Sequence, residues 1–214
     1  MTPEFMMFSN YLNLIKVDEM AIRAVPPHGS IFSIERVFGG LLVSQAVNAF
    51  MTLYSESCPH TVNYKFIAPV NANIPLYFKI FPFDGCAIAS VHVYQNDKHV
   101  GMAQVQFANN PAFLDSSSIS CPYHGSPIDY WNRKISKITA NIMKHMKTLP
   151  LELRPVESPL CPLGERDRVS YWMRINPDFQ NAVKPTYDLV FLLFISDFAT
   201  LQIAEEIYLR SKKK

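Results

Sequence analysis

One carboxylate in this sequence stands where a carboxylate is costly. Asp197 follows the apolar run Leu189–Ile195, and its neighbours at helical spacing are Leu193, Phe194, Thr200 and Leu201. A charged group on such a face is poorly solvated unless partners satisfy it. Groups of this kind are candidate general bases or water-orienting groups. A structural reading stands beside that one: the helix edge reaches water there, or Ser196 and Asp197 mark a helix end. The second candidate is Gly39-Gly40, at the start of a helical stretch. The first amides of a helix carry partial positive charge and N–H donors that no carbonyl of the helix can reach. Small residues there let a carbonyl or phosphate approach closely, or let the helix start pack tightly against a neighbour.

Other chemistry is missing from the sequence. It contains no G-x-S-x-G elbow, no G-x-G-x-x-G, no Walker A loop and no H-E-x-x-H. The six histidines, His28, His60, His92, His99, His124 and His145, show no metal-ligand spacing. The four cysteines, Cys58, Cys86, Cys121 and Cys161, form no C-x-x-C. That argues for a reducing, intracellular compartment and against a disulfide framework or zinc site. No metal and no cofactor are expected.

The elements that must position these groups are legible from pattern. Of 214 residues, 49% are hydrophobic and 18% charged, so a sizeable core can form and disorder of the whole chain is excluded. A net charge of +2 is too small to imply a nucleic-acid partner. The longest apolar run falls far short of the ~20 residues that cross a bilayer. The N-terminus lacks the pattern of a signal peptide.

Residues 39 to about 54 carry helical periodicity on two faces: Leu42, Ala46, Ala49 and Leu53, and Val43, Val47, Phe50 and Tyr54. A helix apolar on most sides is surrounded by other structure. Four strand-like runs follow, at about 62–68, 75–83, 86–95 and 98–107, with Asn96-Asp97 suited to a tight hairpin. Ala87, Ala89, Val91 and Val93 share one face, as do Ala103, Val105 and Phe107. This predicts a meander of antiparallel strands curled around the helix.

Prolines cluster from Pro111 to Pro162, between better-patterned regions. The chain therefore divides into a first unit at 1–108, a connection at 109–167 and the start of a second unit at 168–214. The connection holds one basic amphipathic helix at about 130–147, with Ile135, Ile138, Ile142 and Met146 on its apolar side. The second unit opens with a strand, Val169 to Ile175. A helix then runs from Tyr187 to about Tyr208, with Pro185 suited to its first turn.

Four stretches together resemble one family, the type II acyl-CoA thioesterases, which include bacterial thioesterase II and the peroxisomal acyl-CoA thioesterase of animals. They are Leu12 to Arg23 (LNLIKVDEMAIR), Arg36 to Gln45 (RVFGGLLVSQ), Leu151 to Glu157 (LELRPVE), and Trp172 to Asn176 (WMRIN) followed by Ser196-Asp197. The second is similar to the family motif R-V-F-G-G-x-x-x-x-Q. The similarity covers roughly 10–205. It implies an α+β double hotdog, in which each unit is an antiparallel sheet wrapped around a long helix. The first unit would be complete and the second incomplete.

The resemblance also implies a reaction. Asp197 corresponds to the catalytic Asp that orients a water against the thioester of a fatty acyl-CoA, giving a free fatty acid and coenzyme A. Gly39, Gly40, Gln45 and His60 correspond to substrate-binding positions. The hydroxyl and Gln partners of the family's Asp come from later strands, and this sequence ends at Lys214. Asn63 and Ala68 stand where the family usually has a His and an Arg, whereas Asp84-Gly85 keeps its D-G turn. The resemblance points to the peroxisome. The tail Ser211-Lys212-Lys213-Lys214 begins like the S-K-L address but lacks the final Leu, so the cytoplasm is the alternative. An uncovered apolar second helix implies a homo-oligomer or pairing with a complete homologue. A non-catalytic acyl-CoA-binding or assembly subunit of the same fold is the alternative function.

Overall fold

A computed structural model of the chain describes residues 12–24, 35–108, 151–155, 171–175, 187–197 and 211. Within them lie β1 (Leu14–Lys16), β2 (Ala21–Ala24), α1 (Gly39–Leu53), β3 (Cys58–Phe66), β4 (Leu76–Pro82), β5 (Ile88–Gln95), β6 (Lys98–Ala108), β7 (Leu151–Pro155), β8 (Tyr171–Ile175) and α2 (Tyr187–Ser196). The helix expected at 130–147 and any continuation of α2 beyond Asp197 lie outside the described residues.

Six strands form one antiparallel sheet in the order β1-β2-β4-β5-β6-β3. Alternation sorts their side chains. Phe78 and Ile80 on β4, Ala89, Val91 and Val93 on β5, and Ala103 and Val105 on β6 all face inward and are buried. Helix α1 lies against that face. Ala46, Val47, Ala49 and Phe50 are completely buried among these strand residues, which is why the helix reads as apolar on most sides. At its far end Phe50 packs its ring 5.1 Å from both Tyr54 and Phe107. The β5–β6 hairpin turns at Asn96 and Asp97, both with positive φ (48° and 60°). Such angles at both central residues match the right-handed twist of the flanking strands.

The expected meander of four runs is corrected in one respect. Only β4, β5 and β6 follow it. β3 crosses the sheet and pairs with β6, with Val62 opposite Val105 and Tyr64 opposite Ala103. Alternation states which face a strand buries, not which neighbour it takes. β1 and β2 extend the sheet beyond β4. β7 pairs antiparallel with β8 in a separate two-stranded sheet, so a strand lies inside the segment that the prolines present as a connection.

The entry to α1 is pinned by one buried amide. Gln95, at the end of β5, accepts from the Asn71 N–H through Oε1 at 2.9 Å. Its Nε2 donates to the carbonyls of Asn71 (2.9 Å) and Ile74 (3.2 Å). The segment so held then binds the chain just before the helix. Val37 N–H donates to Val70 O and Ala72 N–H to Glu35 O, both at 2.9 Å, and Arg36 bridges Asn71. Gly39 follows two residues after Val37, so the sheet sets where the helix begins. Replacing Gln95 with Leu keeps the volume but strands these backbone groups. Gln95→Leu should lower unfolding free energy by about 1–3 kcal/mol. Urea denaturation checks this, and an unchanged midpoint would show that the pin contributes nothing.

Candidate active site

Helix α1 starts without a cap of its own. Its N-cap residue is Phe38, in extended conformation, whose side chain offers no oxygen. No acidic residue stands in the first turn. The Phe38 carbonyl accepts from Leu41 and Leu42, leaving the Gly39 and Gly40 amides pointing out of the helix end. The missing acceptor comes from far along the chain. Gly40 N–H donates to Asp197 Oδ2 at 3.1 Å. A carboxylate in this place satisfies an amide and sits at the positive end of the helix dipole.

The second helix delivers Asp197. α2 runs antiparallel to α1: Gly40 meets Phe194, and Ser44, one turn on, meets Val190. Ser44 Oγ lies 2.7 Å from Gly40 O and 3.0 Å from Val190 O, completely buried, and its single proton serves one carbonyl at a time. Phe38 and Phe194 meet edge to face, with centroids 5.5 Å apart. α2 ends at Ser196, whose hydroxyl donates to Leu193 O at 2.7 Å. Asp197 lies in the turn that follows, partly buried. The structural reading of Asp197 therefore holds. It marks a helix end, and that end faces the amides of another helix.

The glycines are required by this crossing. A Cβ on Gly40 would collide with the Phe194 carbonyl oxygen, which is backbone and cannot swing away. A Cβ on Gly39 would stand 2.6 Å from Asp197 Oδ2 and 3.2 Å from the Phe66 ring. Gly40 thus lets the helices touch, whereas Gly39 lets a carboxylate and an aromatic ring close in on the start of α1.

Three of the five expected site residues, Gly39, Gly40 and Asp197, come together. Gln45 is fully buried on α1, turned about 100° around the axis from Ser44. His60 does not join them. It is exposed at the irregularity between Pro59 and Thr61 on β3, with its Nδ1 3.0 Å from Thr61 Oγ1. Phe66, which does reach Gly39, is six residues farther along the strand, a rise of about 20 Å. His92 and His99 stack on the outer face of the sheet, 5.0 Å apart. Partial burial and the neighbouring His99 hold the His92 pKa below its usual value. No three His, Cys, Asp or Glu side chains gather as a metal site among the described residues.

Phe38, Ser44, Phe66 and Phe194 complete the surroundings and were not singled out from sequence. A signal for one existed. Gly40 and Ser44 are small residues four apart, a spacing that permits close helix approach.

No family model matches the chain, and no curated protein sequence matches it. Solved structures do. A conserved protein of unknown function with hot dog fold from Alicyclobacillus acidocaldarius superposes at TM-score 0.61 and 16% identity, over 93% of this chain and 71% of that one. The fold is a hotdog. An acyl-CoA thioesterase II, TesB2, from Mycobacterium marinum superposes at TM-score 0.58 and 16% identity, over 89% and 68% of the two chains. The tesB protein of Mycobacterium avium subs paratuberculosis does so at TM-score 0.58 and 18% identity, over 88% and 67%. At such identities the hotdog architecture is what the likeness establishes. The chain spans about two thirds of these two mycobacterial neighbours.

Two substitutions separate packing from site geometry. Gly40→Ala should cost about 1–3 kcal/mol, because the helices must move apart. Gly39→Ala should destabilise less, since the atom nearest its new Cβ, Asp197 Oδ2, is the end of a side chain rather than backbone. Thermal unfolding of both variants checks this, and a larger loss in Gly39→Ala would reverse the assignment.

Proposed function

We propose that this chain is a thioester hydrolase acting on fatty acyl-CoA through water oriented by Asp197. The observation that carries the proposal is the Gly40 N–H···Asp197 Oδ2 bond at 3.1 Å. It sets a carboxylate and a helix N-terminus against one space that Gly39 leaves free of side chain. Hydrolysis of a thioester needs both groups. Helix-end amides stabilise the negative charge that develops on the carbonyl oxygen. A carboxylate accepts a proton as water attacks. In that step the water oxygen bonds to the carbonyl carbon, its proton passes to Asp197, and the C–S bond breaks. The proton then leaves with the thiol, and the products are a carboxylic acid and coenzyme A. No cofactor enters this scheme. The name of the Mycobacterium marinum neighbour, acyl-CoA thioesterase II, supports the same reaction class.

A second reading follows from the same bond. Asp197 also acts as the cap of α1, and a cap alone would suit a non-catalytic acyl-CoA-binding or assembly subunit. Asparagine separates the two roles. It accepts a hydrogen bond at a helix start about as well as aspartate, but it cannot take a proton from water. Asp197→Asn should therefore keep the melting temperature while lowering kcat on a long-chain acyl-CoA by roughly 10²–10⁴-fold. Asp197→Ala should lose both, at about 0.5–2 kcal/mol for the cap. A thiol-release assay and thermal unfolding read the two effects. Wild-type turnover matched by Asp197→Asn would remove Asp197 from the chemistry. Saturable binding of a non-hydrolysable acyl-CoA analogue without turnover would favour the binding subunit.

A further inference from the structure

Phe66 has an unusual position for its exposure. Its register partner is Gly101, and it shares a face with Val62 and Tyr64, whose partners Val105 and Ala103 are completely buried. That is the face covered by α1, yet Phe66 is 54% exposed. Among the described residues, the core does not close over the inner face at this end of the sheet. The ring is nonetheless held in place. It packs 4.7 Å from Tyr64, and the Tyr64 ring lies across Gly101, where a Cβ would collide with the Tyr64 hydroxyl. Burial raises the Tyr64 pKa far above the ordinary phenol value, so this support stays uncharged. The tip of the Phe66 ring and Asp197 Oδ2 both border the position a Gly39 Cβ would take, at 3.2 and 2.6 Å.

We propose that Phe66 is the specificity-determining wall of this site, packing against the acyl carbons next to the thioester carbonyl and excluding branches there. The inference rests on the thioesterase reading and extends it to the shape of the acyl group. A carbonyl that approaches the Gly39 amide, with its attacking water on the Asp197 side, has its first chain carbons beside the ring. A flat apolar surface suits methylenes, and a fixed ring leaves no room for a substituent on the carbon beside the carbonyl. One methyl group in such a pocket is worth about a tenfold or greater discrimination.

The test compares straight-chain acyl-CoA with its 2-methyl-branched counterpart of equal length, on wild type, Phe66→Ala and Phe66→Leu. Phe66→Ala should lower kcat/KM for the straight chain and raise the branched-to-straight ratio about tenfold. Phe66→Leu should fall between, because it restores apolar volume without the ring. If the chain binds but does not turn over, dissociation constants of the corresponding non-hydrolysable analogues replace kcat/KM. A branched-to-straight ratio unchanged in both variants overturns the inference and leaves the thioesterase reading intact. Neither turnover nor analogue binding by the wild type overturns both. A change of oligomeric state in the variants with no change in the ratio, read by size-exclusion chromatography, assigns the ring to a chain contact and also overturns the inference.

Discussion

The arrangement depends on two helices crossing closely enough for backbone to touch backbone. Phe194 O lies where a side chain on Gly40 would be, and Ser44 reaches the Val190 carbonyl one turn along. Only small residues tolerate that approach. The antiparallel sense of the crossing sets the end of α2 over the beginning of α1. An unpaired amide and a carboxylate separated by 157 positions in sequence thereby become neighbours. The contact is favourable for the fold by itself, because an orphaned donor finds an acceptor and a negative charge finds the positive end of a dipole. A fold-stabilising cap and a candidate reactive group are thus the same atoms.

The sheet contributes placement more than chemistry. It buries one face of α1 and, through Gln95 and the segment at Asn71, fixes the chain two residues before Gly39. Rigid support of this kind keeps a site from loosening by the ångström or so that costs activity. β3 contributes differently. By crossing to pair with β6 it brings its last residue, Phe66, to the same end of α1 as Asp197.

The contrast between Phe66 and His60 shows where local patterns stop. Both lie on β3, and the histidine has the type of side chain that suggests chemistry. The strand holds them about 20 Å apart, and the apolar residue is the one beside Gly39. Residue type is visible in a sequence, whereas the end of a strand that meets a helix depends on its partner and register. The match to hotdog structures at 16–18% identity has the same origin. Such a fold requires an apolar helix and alternating strands, and many different side chains satisfy that pattern.

Amino-acid order alone determined α1 and the inward faces of β5 and β6, because helical and strand periodicities are local and the apolar residues repeat with them. It also marked Gly39, Gly40 and Asp197 as unusual, since side-chain-free residues at a helix start and an acid beside an oily run each carry a local cost. The place of β3, the seclusion of Gln45, the pin at Gln95 and the ring of Phe66 were decided only by tertiary structure. So was the meeting of Asp197 with Gly40. Each depends on which distant segment arrives next to which, and that is settled by packing the six-stranded sheet and α2 against one helix.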